Sequence, residues 1–227
     1  MLGGETIMSL SVIPVGDIIT ALRATFYMVS ISLVIGTVLA SILALALVLT
    51  NEGGLLENKP IFLILNTLVN LVRSVPFIIL MVFIFPLTKF IVGTRIGATA
   101  ALVPLIVFIT PYMARLFENS LLGVDKGIIE AAKSMGASYF QIIWHFILPE
   151  ARSSMILAVT IGTISLISAT AQAGAIGAGG IGDMALTYGY ERLNLPVMIL
   201  TVVILIAIVQ TVQTLGNYFS KKSRVHS

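Results

Sequence analysis

The sequence has no cysteine, which excludes disulfide frameworks and thiolate metal sites and leaves thiol usage silent on compartment. Charge is scarce too: Asp, Glu, Lys and Arg supply 10% of 227 residues, against roughly 25% in a soluble domain. Its two histidines, His145 and His226, are far apart and make no metal site. No G-x-x-x-x-G-K-[ST] occurs anywhere, so the chain lacks a P-loop for ATP. The basic residues are dispersed without interleaved aromatics, which argues against nucleic acid as a partner. The start MLGGETIMSL has no basic region before Asp17 and Arg23, so no cleavable signal peptide is expected and the first span serves for insertion.

What the chain has in abundance is apolar surface. It is 58% hydrophobic with a mean hydropathy of +1.07, the composition of an integral membrane protein in contact with membrane lipid. Charge-free runs over 24–51, 96–114, 153–182 and 193–220 can each supply the roughly 20 residues needed to cross hydrocarbon. A fifth run, 60–88, carries Arg73, Ser74 and Pro76 and predicts a broken or tilted helix. The expected class is therefore all-α with five transmembrane helices. With the C-terminus in the cytoplasm and the N-terminus outside, Lys and Arg outside the spans divide eight inside to four outside.

Arg73 is the single charge within these expected spans. It either pairs structurally near the break at Pro76 or lines a path for substrate. No Asp or Glu falls within them, which argues against a proton-coupled carrier, and no nucleophile and base are within reach for an intramembrane hydrolase. No catalytic residue is assigned.

The segment EAAKSMGASYFQIIWHFILPEA, 130–151, has a different character. From Lys126, helical spacing sets Ile128, Ile129, Ala132 and Met135 on one side and Lys126, Glu130, Lys133 and Ser134 on the other. Gly136 suits a left-handed helix end, Ser138 can cap a second helix, and Pro149 is expected to stop it. This elbow fits a helix pair lying on lipid headgroups as well as one docking on a protein, and periodicity does not separate the two. In the fourth span, Gly162, Ser165, Ser168, Ala169 and Ala173 permit close helix approach. At its end Gly174, Gly177, Gly179, Gly180 and Gly182 read as close packing or a re-entrant turn, and no Lys-Ser or Lys-Thr makes AGAIGAGGIG a nucleotide loop.

Glu130-Ala131-Ala132, then Gly136, then Ile147-Leu148-Pro149 resembles the EAA loop of ATP-binding-cassette import permeases. NLVRSVPFIILMVFIFPLTKFIVGTRIG (70–97), PYMARLFENSLL (111–122) and AGAIGAGGIGDMALTYGY (173–190) resemble the methionine-uptake branch of that superfamily, over about 20–220. The resemblance implies a single permease domain over 1–227 of the type I importer fold, for methionine or else another amino acid or small peptide. It implies a cytoplasmic coupling loop over about 115–152, with Glu130, Ala131, Ala132, Gly136, Leu148 and Pro149 meeting the ATPase. It also implies a homodimer, two ATPase subunits that use ATP and Mg, no cofactor in this chain, and a lipid-anchored binding protein. Gly174, Gly177, Gly179 and Gly180 would form the outer gate or docking surface, and Ser165 and Ser168, with Arg73 as a further candidate, the path.

Overall fold

The computed structural model describes residues 14–224, so His226 lies outside the described residues. Among them the chain is helical without strands. α1 (Val15–Thr50) is a 36-residue helix that begins well before the charge-free run and takes in Asp17 and Arg23. Its buried face repeats small residues one turn apart: Ser32, Gly36, Ala40 and Ala44. In lipid, helices gain little from hydrophobic exclusion, so close backbone approach supplies the packing. A Cβ on Gly36 would collide with the Ile109 side chain of α5 (Ala98–Leu122).

α2 (Lys59–Ser74) starts at Asn58, whose side chain accepts from the Ile61 amide at 3.2 Å. It ends where Pro76 forbids continuation, and α3 (Phe77–Phe83) leaves at 105° to it. The break falls where Ser74 and Pro76 place it, and the bend rules out a straight tilted helix. α4 (Phe85–Val92) follows and closes on Gly93. α5 continues past Ala114 to Leu122, and its core face carries Leu105, Ile109, Met113 and Phe117, each at most 1% exposed.

After α6 (Lys126–Ser134), α7 runs unbroken from Tyr139 to Gly174. Ser138 caps it through a reciprocal box, accepting from Gln141 N at 3.3 Å while Gln141 Oε1 accepts from Ser138 N at 2.8 Å. The expected stop at Pro149 is corrected. Residues Ile142–Ile147 adopt a π-turn in which the Leu148 amide reaches back to Ile143. That wider ladder already leaves a carbonyl unpaired, so the proline ring and its missing donor fit without ending the helix. The fourth span therefore starts earlier than expected and ends at Gly174 rather than Gly182. α8 (Ile181–Met184) passes into a second π-turn, Ala185–Tyr190, and α9 (Leu195–Lys222) completes the bundle.

Four of these helices are long and apolar enough to cross a membrane among the described residues, and five when α2 and α3 are taken together as one bent span. One end of the bundle holds α6, the foot of α7 and the C-terminus of α9, the last two joined by Ser153 Oγ and Ser220 Oγ at 2.9 Å. The other end holds the glycine-rich turn, where the Gly97 amide donates to Gly177 O at 3.0 Å.

Candidate functional site: the coupling elbow and the glycine turn

α6 is fastened at both ends. The Asp125 side chain caps it by accepting from the Gly127 amide at 2.6 Å. At the other end Gly136, at φ +77°, lets its own amide bond to Lys133 O at 2.9 Å and the Ala137 amide to Ala132 O at 3.1 Å. Ala132 is fully buried and anchors the helix inward, whereas Glu130, Ala131, Lys133 and Ser134 face outward. Met135, expected on the inner side, is 72% exposed, because the helix has already ended when the chain reaches it. Beside it Tyr139, Phe140 and Trp144 are exposed, with the Phe140 and Trp144 rings 5.8 Å apart. The elbow thus shows a mixed face of acid, base and aromatic groups. Leu148 and Pro149 do not join it; they are half-buried at the foot of α7.

Between α2 and α5 runs a polar network that the expected spans missed. Arg115 on α5 contacts Glu118 at 2.7 Å and donates to Asn66 Oδ1 at 2.7 Å and Asn70 Oδ1 at 2.9 Å on α2. Glu118 is only 3% exposed. Setting the end of the third span at Ala114 put both charges outside the helix; the Arg-x-x-Glu and Asn-x-x-x-Asn spacings were the available signal. α5 rises about 37 Å over its length, longer than the roughly 30 Å hydrocarbon layer, so this pair sits toward the α6 end of the bundle. Arg73, one turn beyond Asn70, is exposed. Among the described residues it makes no ion pair or side-chain hydrogen bond.

At the opposite end, Gly177, Gly179 and Gly180 have positive φ and reverse the chain, so that α8 folds back against α7. Close approach has a different pair of glycines behind it. A Cβ on Gly174 would strike the Asp183 amide nitrogen, and one on Gly182 the backbone of Ala171. The packing and re-entrant readings are both realised, at different residues. The Ile181 amide donates to Thr25 Oγ1 at 2.9 Å, pinning the turn to α1. An open cleft of about 400 Å³ is lined there by Gly174, Gly177, Asp183, Thr187, Tyr190 and Glu191.

The small residues of α7 divide between two faces. Gly162, Ala169 and Ala173 are buried, with Gly162 against Met113, whereas Ser165 is half-buried and Ser168 and Gln172 are exposed.

The family described as "Binding-protein-dependent transport system inner membrane component" matches residues 36–225. This chain belongs to that family. It is 48% identical over 200 residues to the probable D-methionine transport system permease protein MetI of Vibrio cholerae, covering 88% of this chain and 89% of that one. It is 43% identical over 171 residues to the methionine import system permease protein MetP of Bacillus subtilis, covering 75% and 77%. The structure superposes on a chain of the MetNI methionine ABC transporter in an inward-facing conformation with TM-score 0.89 and 35% identity, covering 99% and 100%. Permeases of this family are inner-membrane components, and the helical bundle accords with that placement.

Proposed function

We propose that this permease is the transmembrane subunit of an ATP-driven importer, with methionine as its substrate. The observation that carries the proposal is the elbow. A chain without a P-loop presents a short, doubly capped helix whose exposed face is built to grip another protein. The names of the relatives support methionine as cargo. The chain performs no chemical step; a pair of ATPase subunits consumes ATP and Mg.

The geometry then accounts for coupling. A push on Glu130 and Ala131 reaches α5 through the link Gly123-Val124-Asp125 and α7 through Gly136-Ala137-Ser138. Both links are short and hydrogen-bonded, so α6 moves as a rigid lever between two spans and exchanges inward-open for outward-open arrangements. Two copies of the chain enclose the path, with Ser165 and Ser168 facing it. The glycine turn and its cleft form the outer gate where the lipid-anchored binding protein docks. The C-terminus then lies in the cytoplasm and the N-terminus outside.

Glu130→Lys and Gly136→Pro test the coupling. Proline cannot adopt the positive φ of residue 136 and removes the amide that bonds Lys133. Both variants are expected to insert normally, to lose the ATPase on co-purification in detergent, and to import methionine about tenfold more slowly, a loss of about 1.4 kcal/mol. Undiminished complex together with undiminished uptake would remove the assignment.

A further inference from the structure

A groove of about 540 Å³ lies between α1, α5, α7 and α9, apart from the glycine turn and from α6, with Leu148 and Arg152 at the foot of α7 marking its near end. Its walls are apolar: Phe117, Met155, Val159, Val212, Leu215 and Phe219. The hydroxyl protons of the residues that line it are committed within the chain. Ser41, Thr160 and Thr163 donate to Thr37 O, Ile156 O and Val159 O on their own helices, at 2.8 Å each. Thr37 Oγ1 points to the Met113 sulfur at 3.7 Å. A carboxylate would find no free hydroxyl donor among them, whereas a hydrocarbon chain needs none.

The mouth of the groove is cationic. Arg152 lines it, and its Nε donates to Ser223 O at 2.6 Å, fixing the guanidinium at the rim. Lys222 continues the Leu215–Phe219 stripe of α9 by one turn, and it is exposed. Glu150, the acidic residue nearest in sequence, falls on the opposite side of α7 from the groove. From Arg152 to Thr163 the wall rises about 16 Å, about half of the roughly 30 Å hydrocarbon thickness. The groove is one leaflet deep with its positive charge at the headgroup level. It also faces away from Ser165, Ser168 and Gln172 around α7, so it is separate from the proposed path.

We infer that this groove is a binding site for one anionic phospholipid of the leaflet on the α6 side, its acyl chain between α7 and α9 and its phosphate on Arg152 and Lys222. Naming that leaflet cytoplasmic rests on the importer reading; the site itself does not.

The test uses the full-length permease solubilised from its membrane, with phosphatidylglycerol as the probe and phosphatidylcholine as the control. Native mass spectrometry of the wild type is expected to show retained phosphatidylglycerol and no comparable phosphatidylcholine. Arg152→Gln with Lys222→Gln should weaken that preference about twenty-five-fold, at about fivefold per cation. These are exposed positions, so folding is not at stake, and Thr163→Trp, which fills the groove, should abolish retention of either lipid. p-Benzoylphenylalanine in place of Val159 should photocrosslink to phospholipid. A crosslink to a second copy of the chain, equal retention of both lipids, or unchanged retention in the charge variant would each overturn the site. Retention is read without ATP, ATPase or methionine, so its failure is distinct from failure of the importer reading, which uptake reports.

Discussion

Single residues separate the glycines by what each does. Gly174 meets backbone atoms of α8 that cannot move aside, whereas a Cβ on Gly179 meets nothing within 4 Å and suffers only from its positive φ. Gly174→Ala is therefore expected to cost about 3 kcal/mol as overpacking against a backbone, and Gly179→Ala about 1 kcal/mol. Thermal unfolding in detergent checks the order; equal losses would show that the turn, not the packing, is what Gly174 supplies. Glu118 supports a second expectation. Removing it as Glu118→Ala strands Arg115 among two asparagine oxygens at a loss of about 3 kcal/mol, while Arg115→Met with Glu118→Leu removes both charges and is milder. The same unfolding measurement applies, and a double variant worse than the single one would contradict the pairing. A run of glycines was visible in the sequence, but which of them touch a backbone was not, because that depends on where α8 lands.

Among the elements, α1 shows how closely packing is tuned. Gly36 admits α5 so near that Gly36→Val must displace Ile109, at an expected cost of about 1–3 kcal/mol. Val38, on the exposed side of the same helix, should accept alanine with little change. Stability measured on the two variants tests whether the small-residue stripe is the contact. The spans, the break before Pro76, the left-handed Gly136 and the cap at Ser138 were legible because each rests on local chemistry. The continuation of α7 through Pro149 was not, since a proline reads as a stop unless a π-turn precedes it. The mixed face of α6 was legible as amphipathic; that Leu148 and Pro149 would be half-buried was not, because burial depends on where the other helices pack.

For the whole molecule, orientation and pairing are the properties to measure. Lys221→Cys should label from the cytoplasmic side and Tyr190→Cys, exposed beside the cleft, from the outside; labelling of both from one face would contradict the proposed arrangement. Ser168→Cys should crosslink to its own copy in a second chain with a yield that changes when ATP is trapped on the ATPase. Absence of any crosslink from Ser165 or Ser168 would leave α7 as a packing helix alone. The Ile181 amide and the Thr25 hydroxyl bring out one further consequence. Their partners lie 156 positions apart, so the first span to enter the membrane waits for nearly the whole chain before its terminal knot can be tied. The notched side, from Ser32 to Ala44, finds its match sooner, since α5 is complete at Leu122, so only the Thr25 end of the first helix stays untied until Ile181. The Thr25 end of α1 is therefore secured late, and a translation product cut short before Ile181 should be recognisable to quality-control proteases by that untied end.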